Sequence, residues 1–346
     1  MSKPTHILVI RLSAMGDVAM AVPVLRVLAQ SYPELKITIL SRPFFKPLFE
    51  DIPNLDFLEA DVYGKHKRLG LIKLAKGAKA LGVDAVADLH NVIRSKVISN
   101  CLKWKGLPIA TIDKGRSEKK ALVSSQGKTE GFKQLKTTHQ RYAEVFKKLG
   151  FPIDLAKHIA PDRKRLTPKL NALIGVESKK LIGVAPFAAH FSKMYPLNLM
   201  TEVIAHLDAS DRYQILLFGG GKKEIEQLKR LENPFANVVN VAGKISFEEE
   251  IALISNLDLM LSMDSGNGHL AAIFGVPVIT LWGVTHPYAG FTPFNQPESH
   301  QLIADREKYP LIPTSIYGNK FPKGYDEAIK TITPEAVVSK IRTILS

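Results

Sequence analysis

The 346-residue sequence lacks the features of secreted and membrane-spanning proteins. It has a single cysteine, Cys101, so no internal disulfide can form and a reducing compartment is favoured. No apolar run approaches the roughly 18 residues that a bilayer-spanning helix needs. The residues after Met1 lead into an apolar strand pattern without a signal-peptide cleavage site. We therefore expect a cytoplasmic protein.

Several kinds of catalytic motif are also missing. The ten histidines are scattered and no Cys/His spacing is typical of a metal site. The chain contains neither a G-x-S-x-G nucleophile elbow nor a P-loop. Hydrolytic triads, zinc chemistry and ATPase function are disfavoured, and we expect no metal and no cofactor. A charged share of 23% and a hydrophobic share of 45% indicate a folded protein rather than a disordered one.

The positive charge is concentrated in one half of the chain. Residues 1–170 hold 31 Lys and Arg against 15 Asp and Glu, whereas residues 171–346 hold 16 against 18. The formal net charge is +14, and the excess of basic over acidic residues that produces it lies entirely in the N-terminal half. Such a half attracts an anionic partner, for example nucleic acid, phospholipid headgroups or an acidic glycolipid.

Short apolar runs alternate with helical patterns in both halves. We predict strands over 6–10, 36–40, 83–89 and 107–112, then over 181–185, 213–218, 238–241, 257–263 and 276–281. This rhythm predicts an α/β fold with two doubly wound parallel-sheet domains. Residues 151–180 are rich in proline and charge and resemble a linker. We place an N-terminal domain at 1–165 and a C-terminal domain at 166–346, with the active site in the cleft between them; a last helix, 335–345, could pack back on the N-terminal domain.

The first motif is RLSAMGDV at residues 11–18, directly after the first strand. Ligands of open α/β sheets bind at the carboxyl ends of strands, and Gly16 allows close approach of the backbone. Asp17 is a candidate general base, because its carboxylate could take the proton of an acceptor hydroxyl. The alternative is that Asp17 is the N-cap of the following helix, a role that Ser13 could also take.

The second motif is MDSGNGHLAA at residues 263–272, between a strand and a helix rich in small residues. Its glycines and the N–H groups at the start of the helix form a site for a diphosphate. The third glycine of the dinucleotide fingerprint is missing, which disfavours a nicotinamide enzyme. The alternative is a tight turn in which Asp264 caps the helix and His269 is simply buried.

Two further loops follow strands of the second half. In residues 185–196 (APFAAHFSKMYP), Lys193 could neutralise a leaving diphosphate, although an ordinary solvated lysine is the simpler interpretation. In residues 218–224 (FGGGKKE), the glycines permit close approach of a nucleoside, and Glu224 could accept hydrogen bonds from ribose hydroxyls. The second loop could equally be an ordinary strand-to-helix turn.

In the N-terminal half, basic residues cluster near predicted loops at 65–68 and 88–95. They could hold carboxylate or phosphate groups of an acceptor, and Arg94 could do so with two hydrogen bonds. For 65–68 the alternative is a solvated charge run at the start of a helix. The predicted acceptor-binding residues are Ser13, Lys65, Arg68, His90 and Arg94.

The RLSAMGDV loop, followed by a helix carrying Pro23, and the late MDSGNGHLAA loop, followed by GVPVITLWG, together resemble the ADP-heptose:lipopolysaccharide heptosyltransferases of glycosyltransferase family 9. The resemblance runs from His6 to about Phe294. It implies the GT-B fold, two Rossmann-like domains that bind the acceptor N-terminally and the nucleotide sugar C-terminally. It also implies inverting, metal-independent transfer of heptose from ADP-heptose to Kdo or heptose of the lipopolysaccharide inner core, by an enzyme peripheral at the cytoplasmic face of the inner membrane.

By this resemblance Asp17 matches the catalytic base and Lys193 the residue at the donor diphosphate. The predicted nucleotide-sugar-binding residues are Ser192, Glu224, Asp264, Ser265, Gly266, Gly268 and His269. The chain departs from the family pattern at Ala188 and Ala189, where relatives often have hydroxyl residues beside the phosphates. Ser192 is then the nearest hydroxyl, and the identity of the donor stays open.

Two alternatives remain at the level of sequence. One is a glycosyltransferase that uses another nucleotide sugar or adds a later heptose. The other is a noncatalytic protein that binds nucleic acid with its basic half, but that function predicts aromatic residues interleaved with the basic ones, a pattern that Phe44, Phe45 and Tyr63 do not form. We therefore expect no nucleic-acid partner, and a monomer is the favoured state.

Overall fold

The computed structural model describes residues 3–125, 132–175 and 179–346. These residues form two compact units. The first contains the described residues up to Lys114 together with Lys136–Ala160, and the second contains those of Gly115–Leu135 and Pro161–Ser346. None of the helices within the described ranges combines the length and the hydropathy needed to cross a membrane.

The first unit is a five-stranded parallel sheet with helices on both faces, and its strand order is β3-β2-β1-β4-β5. The three central strands are almost completely buried, as expected where helices cover both faces of a sheet. Elements are numbered in chain order. The strands are β1 His6–Ile10, β2 Lys36–Ser41, β3 Leu55–Glu59, β4 Ala85–Asp88 and β5 Ile109–Thr111; the helices are α1 Met15–Ser31, α2 Gly70–Ala80, α3 Ile93–Lys103 and α5 Thr138–Lys148.

The helices of this unit form two separate layers. α2 packs against α3, and α1 packs against α5. Right-handed crossovers require this arrangement, because the chain moves from β1 to β2 in one direction and from β4 to β5 in the other. Leu74 of α2 and Ile98 of α3 share a buried cluster with Leu8 and Val86 of the sheet.

The second unit is a six-stranded parallel sheet of order β11-β10-β9-β6-β7-β8. Its strand order reverses between β6 and β9, which places their carboxyl-end loops at the switch point where such sheets bind ligands. The strands are β6 Lys180–Ala185, β7 Tyr213–Leu217, β8 Val238–Asn240, β9 Leu259–Met263, β10 Val278–Trp282 and β11 Gln301–Ile303; the helices are α4 Arg116–Ser124, α6 Pro168–Ile174, α7 Leu197–Asp208, α8 Lys222–Glu232, α9 Phe247–Ser255, α10 Gly266–Ile273 and α11 Pro334–Leu345.

The observed units differ from the predicted domain bounds in two respects. The second unit begins at Pro161 rather than at 166, and it also includes the segment Gly115–Leu135. Within that segment, Leu122 of α4 packs in a cluster with Ala289, and the ammonium of Lys119 lies 4.0 Å from the ring centroid of Phe291. The last helix, α11, packs against α7 inside the second unit.

Candidate functional sites

In the first unit Asp17 is held by a buried arginine. Arg11 follows β1 directly and is 5% exposed, and its Nη2 forms an ion pair with Oδ2 of Asp17. The carboxylate itself is 33% exposed. The N-cap of α1 is Ala14, and Asp17 lies in the first turn without capping it. The N-cap interpretation of Asp17 was therefore wrong, because the helix begins at Met15, three residues earlier than that role requires.

Arg11 is fixed by several neighbours at once. Its Nη1 donates a hydrogen bond of 2.6 Å to the carbonyl oxygen of Leu89, and its guanidinium lies 5.8 Å from the ring centroid of Tyr142. The hydroxyl of Tyr142 donates to the backbone oxygen of Asp17 over 3.2 Å. Burial raises the pKa of Tyr142 well above its usual range, so the phenol stays protonated as a donor. Oδ2 of Asp17 is thus held in the ion pair with Arg11, whereas Oδ1 of the same carboxylate does not take part in that pair.

His90 lies beside this pair as a neutral side chain. It is 8% exposed, and its Nδ1 accepts a hydrogen bond of 3.4 Å from the backbone N–H of Leu12. Burial, reinforced by the positive charges of Arg11 and Lys114, lowers the pKa of His90 to about 3. His90 therefore supplies no positive charge at neutral pH. Its predicted contact with the acceptor stays a prediction.

The other predicted acceptor residues of this unit are at the surface. Ser13 is partly buried in the loop before α1. Lys65 and Arg68 are exposed in the loop before α2, which an aspartate, Asp61, organises by accepting the backbone N–H of Lys65 over 3.0 Å. Arg94, in the first turn of α3, lies 5.0 Å from the ring centroid of Tyr63. Their part in acceptor binding stays a prediction.

In the second unit Lys193 and Asp264 form a nearly buried ion pair. Nζ of Lys193 is 2.9 Å from Oδ2 of Asp264, and the two side chains are 12% and 9% exposed. Thr285 donates its hydroxyl to the same oxygen over 3.0 Å. Lys193 is therefore not an ordinary solvated lysine. Because an ammonium group carries three hydrogens, the pair leaves Lys193 able to donate to a phosphate oxygen as well.

The tail of the chain packs on this lysine. Ser192 is buried and donates its hydroxyl to the carbonyl oxygen of Gly318. A Cβ built on Gly318 would lie 2.7 Å from both Cγ and Cδ of Lys193. The hydroxyl of Ser192 thus has no hydrogen left for a phosphate in this arrangement. Its predicted place beside the donor would need the bond to Gly318 to break.

The loop after β9 leads into α10, whose first turn offers its backbone N–H groups. Ser265 is the N-cap residue, in extended conformation, and its side chain makes no capping bond. Asp264 does not cap the helix either, because its carboxylate faces Lys193 and Thr285. Gly266 begins the helix, and His269 is buried within it. This is the helix terminus at which we predicted a diphosphate, and anion binding there stays a prediction.

Gly268 of the same helix has a packing role. A Cβ at this position would lie 2.5 Å from Oγ of Ser262 in β9 and 3.2 Å from a methyl of Val278 in β10. The glycine therefore allows α10 to lie close to the sheet. This explanation does not require a ligand at Gly268.

Glu224 lies in the first turn of α8. Its Oε2 accepts the backbone N–H of Gly220 over 2.8 Å, which stabilises the glycine loop before the helix. The aromatic ring of Phe187 approaches this loop, since a Cβ on Gly219 would lie 3.3 Å from it. Contact of Glu224 with a ribose stays a prediction.

Sequence reasoning missed three residues of these sites. Arg11 stood in the first motif but received no role, although a charged residue directly after a buried strand is itself a signal of a strand-end site. Thr285 and Tyr142 had no such signal, because they lie 21 and 125 residues from their partners.

Among the described residues no group of three or more His, Cys, Asp or Glu is placed to hold a metal ion.

Two Rossmann-like units, each with polar groups at the carboxyl edge of a parallel sheet, are typical of the GT-B fold. The sequence profile of glycosyltransferase family 9 (heptosyltransferase) matches residues 71–314. The chain therefore belongs to glycosyltransferase family 9, and it is an enzyme.

Curated relatives agree with this assignment. The chain is 26% identical over 289 residues to the lipopolysaccharide core heptosyltransferase OpsX of Haemophilus influenzae, covering 82% of this chain and 80% of that one. It is 23% identical over 339 residues to lipooligosaccharide heptosyltransferase 2 of Campylobacter jejuni, covering 96% and 95%.

Solved structures share the fold. A family 9 glycosyltransferase from Veillonella parvula aligns with a TM-score of 0.75 at 20% identity and covers 99% of this chain and 97% of that chain. The E. coli heptosyltransferase WaaC, solved with ADP, aligns with a TM-score of 0.65 at 19% identity and covers 98% and 99%. At these identities the likeness concerns the fold alone.

Proposed function

We propose that this enzyme transfers heptose from ADP-heptose to the inner core of lipopolysaccharide, with inversion at the anomeric carbon. The observation that carries the proposal is Asp17, a partly exposed carboxylate with one oxygen fixed by buried Arg11. The family assignment and the heptosyltransferase relatives support the choice of sugar and acceptor.

In the proposed reaction Asp17 removes the proton of an acceptor hydroxyl, and that oxygen forms a bond to the anomeric carbon of the donor. The bond from the anomeric carbon to the diphosphate breaks through an oxocarbenium-like state, and ADP leaves. Lys193 and the N–H groups at the start of α10 stabilise the negative charge on the leaving diphosphate. No metal is required, because an ammonium and a helix terminus supply the positive charge.

Replacing Asp17 by Asn tests the assignment. The amide keeps the size of the side chain but cannot accept the proton, so we expect turnover with ADP-heptose and a Kdo-bearing acceptor to fall at least about a hundredfold. Affinity for ADP, measured by calorimetry, should stay unchanged because the donor residues lie in the other unit. Turnover close to that of the unchanged enzyme would remove Asp17 from the role of base.

Donor and metal requirements are tested with the same assay. A panel of nucleotide sugars offered with core-truncated lipopolysaccharides should give the highest rate with ADP-heptose. Addition of a chelator should leave that rate unchanged. A higher rate with another nucleotide sugar, or loss of activity that only a divalent cation restores, would contradict this part of the proposal.

We place the enzyme as a monomer at the cytoplasmic face of the inner membrane. The single cysteine and the lipid-linked acceptor support this location. Fractionation of cells should recover the protein with membranes at low salt and release it at high salt, since a peripheral protein is held largely by screened charges. Extraction by detergent only would contradict a peripheral location.

A further inference from the structure

The helix layer formed by α2 and α3 has an unusual surface. Residues 65–81 and 93–105, which contain α2, α3 and the loops around them, hold ten Lys and Arg and no Asp or Glu. All ten basic side chains are exposed. We call these two segments the basic face. The basic residues are Lys65, Lys67, Arg68, Lys73, Lys76, Lys79, Arg94, Lys96, Lys103 and Lys105.

The opposite helix layer of the same unit does not share this bias. α1 and α5 together contain four Lys and Arg against two Asp and Glu. Charge of one sign on one layer therefore does not follow from the composition of the unit as a whole. It produces a local positive potential that attracts an anionic surface.

Large apolar side chains stand among the cations. Leu69 is 79% exposed, Ile93 83% and Trp104 86%, and Ile72 and Leu81 are also exposed. Leu69 and Ile93 lie near the first turns of the two parallel helices, whereas Leu81 and Trp104 lie at their C-terminal ends. Each helix has 11 residues, so the apolar side chains at the N-terminal ends are about 16 Å from those at the C-terminal ends.

We propose that the basic face docks the enzyme on a membrane surface rich in anionic phospholipids. Lysines interspersed with exposed Leu, Ile and Trp fit an interface where headgroups are negative and apolar side chains can enter the acyl boundary. The face begins at the candidate site, because Arg94 follows the loop in which His90 contacts Leu12. The proposal deepens the proposed function, since a lipid-linked acceptor requires its enzyme at the bilayer.

Binding to vesicles tests the proposal without any sugar substrate. The purified full chain is mixed at low salt with vesicles of phosphatidylcholine alone or with added phosphatidylglycerol, and then sedimented. We expect sedimentation only with phosphatidylglycerol, and its loss at high salt. The emission of Trp104 should shift to shorter wavelength on binding, whereas Trp282 is fully buried and should not change.

Paired charge reversals locate the contact. We expect Lys73→Glu with Lys76→Glu to weaken vesicle binding at least about tenfold, because two lysines near an anionic surface contribute strongly to binding. The matched control, Lys147→Glu with Lys148→Glu, makes the same change of charge at exposed positions of α5 in the other layer and should bind nearly as the unchanged protein does. Lys73→Gln with Lys76→Gln should give a smaller loss, and it serves if the double glutamate variant does not fold.

Several outcomes would overturn the proposal. These are no sedimentation with phosphatidylglycerol, equal losses in the two charge reversals, or binding to an oligonucleotide in place of vesicles. Transfer to an acceptor without acyl chains should be unaffected by the reversal at Lys73 and Lys76. Vesicle binding without any transfer to lipopolysaccharide would count against the proposed function alone, and transfer without vesicle binding against the basic face alone.

Discussion

At the scale of single residues, Arg11 sets the geometry of Asp17. Its guanidinium bonds the carboxylate and the carbonyl oxygen of Leu89 at the same time, which requires the forked donors of arginine. Lysine has one ammonium on a flexible stem and cannot make both bonds in the same geometry. The position of the proposed base therefore depends on a residue that need not contact the acceptor.

We expect Arg11→Lys to lower kcat by roughly 10- to 100-fold, because a small displacement of a reacting group is costly. The affinity for ADP should not change. Arg26→Lys is a suitable control, since Arg26 is also a buried arginine of this unit but bonds the backbone oxygen of Asp51 instead. Equal kinetic effects of the two variants, or an unchanged kcat in Arg11→Lys, would show that Arg11 does not position the base.

His90 predicts a dependence of stability on pH. Its pKa in the folded protein is about 3, below the usual 6.5, so the folded state binds its proton more weakly than the unfolded state does. The contribution of His90 to the free energy of unfolding is therefore present above about pH 6.5 and is lost as the pH decreases toward 3. Between pH 7 and pH 5, the titration of this one residue should lower the free energy of unfolding by about 2 kcal/mol.

The free energy of unfolding at the two pH values, measured for His90→Gln, checks this expectation. The variant should lose less stability on acidification than the unchanged protein, because glutamine does not titrate. Replacement of the exposed His206 by Gln is the control and should leave the loss as it was. A His90→Gln variant with the same acid loss would mean that the depressed pKa is not expressed in solution.

At the scale of elements, most strands could be predicted because they are short, apolar and flanked by loops. The prediction of 6–10 coincides with β1, and the predicted last helix, 335–345, agrees with α11 to within one residue. β3 was missed because its residues are only partly buried at the edge of the sheet, and β11 because it has three residues. The attachment of α4 to the second unit depends on contacts with residues far along the chain, which no local pattern reveals.

The tail loop around Gly318 is an element that the sequence reveals only as irregular. Gly318 has φ +78 and leaves no space for a side chain beside Lys193. We expect Gly318→Ala to displace the stem of Lys193 and to lower affinity for ADP about tenfold, in line with the cost of overpacking. Gly324→Ala is the matched control, because Gly324 has φ +85 in the same tail with nothing within 4 Å. Calorimetry with ADP should separate the two variants, and equal affinities would argue that the tail does not support Lys193.

At the scale of the whole molecule, the two proposals assign the anionic membrane and the nucleotide to different units. The cations of the basic face lie on one helix layer of the first unit, and the Lys193–Asp264 pair lies at the sheet edge of the second. Each partner should therefore protect a different part of the chain from exchange with solvent. The charge imbalance of the sequence predicts this separation. The layer that bears the charge depends on the packing of α2 against α3, which no local pattern predicts.

Hydrogen exchange on the full chain tests this assignment. ADP should slow exchange at residues 186–196 and in α10, because their N–H groups lie at the switch point of the second sheet. Anionic vesicles should instead slow exchange in α2, α3 and the loop that precedes α2, since those backbones become covered by headgroups. Lys73→Glu with Lys76→Glu should lose the vesicle pattern and keep the ADP pattern. If vesicles protected α1 and α5 to the same extent, attraction to the unit as a whole would explain binding, and the basic face would have no special part in it.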